Sequence, residues 1–138
     1  MTIAEVVTRD TTEDAYEHLA DVVVTPERVH AFAEATRDFN PIHFDNEVAR
    51  KFNLDGVIAH GGLITGIVSQ VMFERFGDGV MPRRIGETKF LLPVYTGSRI
   101  SIFSRVTRER CNVKMVDVEV RADGNVVLVL KDIMLLVP

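Results

Sequence analysis

The segment VIAHGGLITGIVSQVMF, residues 57–73, limits what this chain can fold into more than any other stretch. Leu63, Ile64, Ile67, Val68, Val71 and Met72 recur at three- and four-residue intervals, with Phe76 beyond, so the run reads as one long helix. Apolar residues occupy most of its circumference, which places it in the middle of a domain rather than on its surface. His60, Ser69 and Gln70 interrupt the run, and it falls short of a membrane span. Gly77-Asp78-Gly79 ends it. A helix of this kind needs something wrapped around it.

The second half of the chain supplies strands. From Met81 onwards the helical period gives way to runs such as SRISIFSRVTRE, with Ile100, Ile102 and Val106. Val116, Val118 and Val120 alternate with Asp117, Glu119 and Arg121, the pattern of a half-exposed strand. Asp123-Gly124 is a tight hairpin turn, and VVLVLKDIMLLV closes the chain as a more fully buried strand. Cys111 falls in this region as a strand residue. Helix first, then an antiparallel meander of three or four strands, reads as α+β, with one sheet curled around the apolar helix.

Upstream, DVVVTPERVHAFAEATRDFNP predicts a short strand over 21–25. Thr25 then caps a helix with Pro26 at its first position, where a missing N–H is harmless. Val29, Phe32, Ala33 and Thr36 follow at helical spacing, and the helix must stop before Pro41. Residues 46–52 allow one or two helical turns opened by an Asn46 cap, and Asn53-Leu54-Asp55-Gly56 is a turn.

A length of 138 residues, with 46% hydrophobic and 26% charged residues and no linker or repeat, fits a single domain over 1–138. The net charge of −4 and the lack of a dense Lys/Arg run argue against nucleic acid, although Arg83 and Arg84 form a small basic patch suited to a phosphorylated small molecule. One cysteine excludes an intrachain disulfide and a CxxC metal site. The N-terminus, MTIAEVVTRDTTEDAYEHL, lacks the apolar stretch of a signal peptide, so a cytoplasmic protein that uses no membrane is expected.

Chemistry concentrates in two places. In DFNPIHFD (38–45), Asp38 and His43 lie about 140° apart on an ideal helix and on opposite faces of a strand. Only a bend at Asn40-Pro41 lets them converge, with Asn40 free to bond the loop backbone. Taken alone, the loop reads equally well as a turn. In IAHGGL (58–63), Gly61 and Gly62 sit at the first turn of the long helix, where N–H groups lack intrahelical partners and the dipole favours negative charge. That is a candidate oxyanion hole, or simply a sharp start to the helix.

Together, DFNPIHFD and IAHGG closely resemble the paired signature of the R-specific enoyl-CoA hydratases and MaoC-like dehydratases of the hot-dog superfamily. The resemblance covers roughly residues 22–97, including TPERVHAFAEATRDFNPIHFD, Ser69 and FLLPVYTG. It implies a hot-dog fold, a curved antiparallel sheet wrapped around a long central helix, dimerised through the sheets. It implies that Asp38 and His43 are the catalytic dyad, that the Gly61 N–H polarises the thioester carbonyl, and that Asn40, His60, Gly62 and Ser69 line the substrate site. The implied reaction is reversible addition of water to a trans-2-enoyl-CoA, giving an (R)-3-hydroxyacyl-CoA. The implied partners are an acyl-CoA or acyl-ACP thioester and a second copy of the chain. No cofactor or metal is expected, since the substrate carries its own coenzyme A or phosphopantetheine arm.

Dehydration of acyl-carrier-protein thioesters is the alternative within the family. A hot-dog thioesterase is disfavoured by the DxNPxH pair, and a non-catalytic subunit need not keep it. His60 is expected to bond within the loop near the substrate, and His18 and His30 to lie on the surface. Ser69 lacks a GxSxG setting and is not a hydrolase nucleophile. Two departures stand out. Gly62 replaces a frequent methionine, leaving extra space by the helix start. Phe90-Leu91-Leu92 replaces a segment that often carries a basic residue, for which the nearby Lys89 is the candidate substitute.

Overall fold

The computed structural model describes residues 16–138; the stretch read above for a signal peptide lies mostly outside them. Strand β1 (Glu17–Val23) leads into helix α1 (Pro26–Thr36). Thr25 Oγ1 accepts the Arg28 N–H at 3.2 Å, with Pro26 at the first helical position, as the sequence predicts. Arg37 ends the helix in the left-handed region at φ 64°. A single 3₁₀ turn (Pro41–His43) and helix α2 (Asn46–Lys51) follow, then helix α3 (Gly61–Phe76). The cap of α2 is Asp45, not Asn46: Asp45 Oδ1 accepts the N–H groups of Glu47 and Val48, while Asn46 Oδ1 reaches out to the Val57 N–H.

Strands β2 (Met81–Phe90), β3 (Arg99–Arg110), β4 (Val113–Ala122) and β5 (Asn125–Leu136) complete one antiparallel sheet in the order β1-β3-β4-β5-β2. The meander expected from the sequence is its centre; β1 and β2 are the two edges. β1 begins earlier and ends sooner than the 21–25 reading, because pairing with β3 sets its length, from Glu17↔Ser104 to Val23↔Arg99. Asp21 fastens it, bonding Ser101 Oγ at 2.5 Å and His18 Nε2 at 2.9 Å. The Ser101 hydroxyl first, then His18, hold the Asp21 carboxyl below its usual range.

The core lies between α3 and the inner face of the sheet. Ile64, Ile67, Val68, Val71 and Met72 pack with Ile100 and Ile102, with Val116, Val118 and Val120, and with Leu128, Leu130, Ile133 and Leu135. The wrap is incomplete. Gly66, Ser69, Gln70 and Phe73 of α3 remain exposed, so the helix presents one bare side beside β2. No described helix is long and apolar enough to cross a membrane.

The outer face of the sheet departs from the half-exposed reading of β4. Asp117 and Glu119 are buried, at 5% and 0% exposure. Arg105 Nη2 lies 3.1 Å from Asp117, and Arg121 Nη2 lies 2.7 Å from Glu119. The guanidinium groups in turn cover the rings of Tyr16 and Phe103. The carboxylates are buried because long basic side chains lie over them, which alternation alone does not reveal.

Turns carry the strain. Asp123 and Gly124 both take positive φ, as a two-residue type I′ hairpin requires. Cys111 is not a strand residue; it sits exposed in the β3–β4 turn at φ 53°. Asp132 interrupts β5 at φ 54°, and its N–H donates to Asp117 Oδ1 at 3.0 Å. Gly86 stands opposite on β2, where a Cβ would fall 2.8 Å from Asp132 Cβ. Gly86→Ala must therefore push the edge strand off the irregularity in β5. A loss of about 1–3 kcal/mol in urea unfolding is expected, and an unchanged midpoint would show that the strands part without cost.

Candidate active site

The 38–45 loop is built by side chains bonding the backbone two residues ahead. Asp38 Oδ1 accepts the Asn40 N–H at 3.2 Å, and Asn40 Oδ1 accepts the Ile42 N–H at 3.2 Å. Asp45 then caps α2 in the same way. Pro41 starts the 3₁₀ turn, and the Phe44 and Asp45 N–H groups close onto its carbonyl. This compact turn reverses the chain within five residues and brings Asp38 and His43 to the same place.

Facing the loop is the approach to α3. The Ala59 N–H donates to Val94 O at 2.7 Å and the Thr96 N–H to Val57 O at 3.1 Å, so residues 57–59 run antiparallel to 94–96. His43 Nδ1 lies 2.7 Å from Ile58 O, and His60 Nε2 lies 2.9 Å from Asp38 O. A carbonyl only accepts, so His43 carries its proton on Nδ1 and His60 on Nε2. In the neutral imidazole this leaves the lone pair on His43 Nε2.

The two imidazoles stack at 3.6 Å between centroids, and one ligand-type atom each from Asp38, His43 and His60 lies within 4.8 Å of the others. Their exposure is graded: Asp38 is exposed, His43 half-buried, and His60 buried at 3%. Carboxylate and imidazole types of this kind can hold a proton between them or a divalent ion. With both histidines already anchored on carbonyls, the open functional atoms are the Asp38 carboxylate and His43 Nε2.

Gly61 and Gly62 open α3. Their N–H groups have no acceptor among the described residues, and His60 at the N-cap makes no side-chain cap bond. Gly61 lines a cleft of about 390 Å³ with Ile58, Ile64, Phe90, Pro93 and Val127. The ring of Phe90 lies on Gly61, so a Cβ there would sit 2.7 and 2.9 Å from ring carbons.

Gly62 does not leave spare room. Phe32 of α1 fills the place, with its Cζ 2.9 Å from where a Cβ would stand, and the same ring lies 4.9 Å from His60. Ser69 is not brought to Asp38 and His43. It lies more than two turns further along α3, lining a second groove with Thr65, Phe73, Val80 and Ile85. Lys89 pairs with Glu87 at 3.0 Å. His18 and His30 are on the surface, bonded to Asp21 and Glu34. Sequence reasoning missed Phe32 and Phe90 as neighbours of the two glycines and the Ile58 carbonyl as the anchor of His43. Phe90 stood inside the FLLPV signal, whereas a carbonyl leaves no mark in a sequence.

Known proteins converge on one family. The MaoC like domain matches residues 7–126. A mitochondrial 3-hydroxyacyl-[acyl-carrier-protein] dehydratase of Arabidopsis thaliana is 32% identical over 97 residues, 67% of this chain and 57% of that protein. An (R)-specific enoyl-CoA hydratase of Aeromonas caviae is 32% identical over 84 residues, 59% of this chain and 61% of that protein. The aligned stretches thus span about three-fifths of these relatives' length. Among solved structures, the (R)-hydratase from A. caviae involved in PHA biosynthesis superposes with a TM-score of 0.79 at 23% identity, covering 89% of this chain and 94% of the other. The ChsH1-ChsH2 complex from Mycobacterium tuberculosis gives 0.78 at 20% identity, covering 90% and 98%. These likenesses establish the hot-dog fold.

The packing around the two glycines gives a contrast in stability. Phe90 is 58% exposed and can swing aside, whereas Phe32 is held against His60. Gly61→Ala should cost less than about 1 kcal/mol and Gly62→Ala about 1–3 kcal/mol. Equal losses in thermal unfolding would show that Phe32 yields as readily as Phe90.

Proposed function

The chain belongs to the MaoC-like domain family, and from that premise we propose that it hydrates trans-2-enoyl-CoA thioesters reversibly to (R)-3-hydroxyacyl-CoA. The convergence of the Asp38 carboxylate and a His43 whose tautomer is fixed by Ile58 O carries this reading. A water held between them loses one proton to the pair as its oxygen adds to C3, and the pair delivers a proton to C2. The charge that develops on the thioester oxygen is met by the Gly61 N–H, where a preorganised donor is worth roughly 3–4 kcal/mol. Asn40 keeps the loop in shape through its bond to the Ile42 N–H. The reaction needs no metal or redox group, because the thioester carries its own activating carbonyl.

A second reading is supported by the Arabidopsis relative: the same chemistry run as dehydration on an acyl-carrier-protein thioester. Both substrates offer the same phosphopantetheine arm and the same reacting atoms.

A second copy of the chain completes the assembly in this proposal. β2 is a free sheet edge exposed along almost its whole length, and its Met81 and Ile85, with Phe73 of α3 beside them, are 45–47% exposed. Edges and apolar patches of this kind are normally covered. Sedimentation at micromolar concentration should give about twice the chain mass; a stable, well-folded monomer would count against the dimer.

Asp38→Asn separates chemistry from turn formation. Asn offers the same oxygen to the Asn40 N–H, so the loop and the unfolding temperature should stay. Turnover of crotonyl-CoA, followed by loss of the conjugated-thioester absorbance without release of free thiol, should fall by about 10²-fold or more. Near-normal hydration by the folded variant would return the loop to a purely structural role. Release of free thiol by the wild type would identify a thioesterase instead.

A further inference from the structure

We propose that His60 is a positioning residue that locks Asp38 and His43 into one working unit; the catalytic part of this inference rests on the hydratase reading above. The N-cap of a helix is normally occupied by Ser, Thr, Asp or Asn, whose side-chain oxygen takes an orphan N–H. His60 occupies that position at α3 and makes no such bond. Its ring instead turns to the 38–45 loop, buried at 3% exposure.

Three contacts define what it does there. The Nε2–H donates to the backbone carbonyl of Asp38 at 2.9 Å, fixing the residue that carries the carboxylate. One side stacks on His43 at 3.6 Å with 30° between the planes. The Phe32 ring lies 4.9 Å away, tilted at 52°, and also fills the space over Gly62. His43 is held by Ile58 O at one ring atom only. A single bond leaves a ring free to pivot about it, and the stack with His60 removes that freedom.

His60 Nδ1 is buried with no hydrogen-bond partner among the described residues. An unsatisfied buried nitrogen is a standing cost. It persists because the ring is placed for its Nε2 bond and its stack, and a glutamine could reproduce only the first. His60 also precedes Gly61 directly, so the geometry that aligns the dyad sets the start of the helix whose N–H groups are open. One residue therefore couples the proton-handling pair to the thioester-facing glycine.

The test uses His60→Phe, which keeps the stack and loses the donor, and His60→Gln, whose amide nitrogen matches Nε2. In the hydration assay, His60→Phe, which breaks the bond to Asp38, and His60→Gln, which breaks the stack on His43, should each lose about 10–100-fold in kcat with KM within about twofold. A wild-type kcat in either variant overturns the catalytic role. Imidazole ¹⁵N NMR reads the geometry without any turnover. Wild-type protein should show His60 as the Nε2–H tautomer and His43 as the Nδ1–H tautomer, and His60→Gln, which removes the stack, should blur the His43 pattern towards a mixture of tautomers. An Nδ1–H tautomer at His60, or an unmixed Nδ1–H pattern at His43 in His60→Gln, overturns the positioning itself. A wild type that shows the tautomers but hydrates no enoyl thioester refutes the hydratase reading while leaving the positioning in place.

Discussion

The burial of α3 governs the rest of the molecule. Sixteen residues make a rod of about 24 Å, and five of its large side chains disappear against the inner face of one sheet. At roughly 1.5–3 kcal/mol for each such side chain, that face cannot be given up. A helix gripped along its length has only its ends and its bare side left for chemistry. The N-terminal end is the better choice, because its unsatisfied N–H groups come without extra machinery. The bond from Ala59 N to Val94 O fixes where that end emerges, and the bond from Leu91 N to Val127 O fixes the 90–94 segment to β5. The cleft beside Gly61 is therefore part of the sheet's own framework.

Local chemistry was legible from the residues, and long-range partnership was not. Thr25-Pro26, Asp123-Gly124 and the period of residues 63–76 name their structures because the forces involved act within a turn or two. The convergence of Asp38 and His43 was half legible: no regular element could produce it, but the loop taken alone read equally well as a turn. The extent of β1 was misread because pairing with β3, some eighty residues away, determines it. Asp45 displaced Asn46 as a cap because Asn46 is engaged with Val57. The alternation of β4 looked half-exposed because nothing in Asp117 or Glu119 announces that Arg105 and Arg121 will close over them. Ser69 was assigned by resemblance, and the chain places it on a different groove.

The 38–45 loop shows why turn and site are poor alternatives. Asp38 spends one oxygen on the backbone and keeps the other exposed, so the bond that shapes the loop also aims the carboxylate. Gly61 and Gly62 are similar. Each admits an aromatic ring from another element, Phe90 or Phe32, and together they leave the helix start open. Structural and chemical demands meet in the same atoms, which is how so short a segment can carry a reaction.

The buried acids of β4 have a consequence for how the chain finds its alignment. β5 is apolar on both faces from Val127 to Leu130, all four buried. Its hydrophobic pattern is thus indifferent to a slip of one residue against its neighbour. β4 is not indifferent. A one-residue slip would turn Asp117 towards α3, away from Arg105 and among valines and isoleucines, at a cost of several kcal/mol for the stranded charge, and would carry the Glu119–Arg121 pair in with it. It would also take Asp117 away from the Asp132 N–H, the bond that secures the irregularity in β5. The two carboxylates therefore single out one register of β4, where the greasy strand beside it would accept more than one.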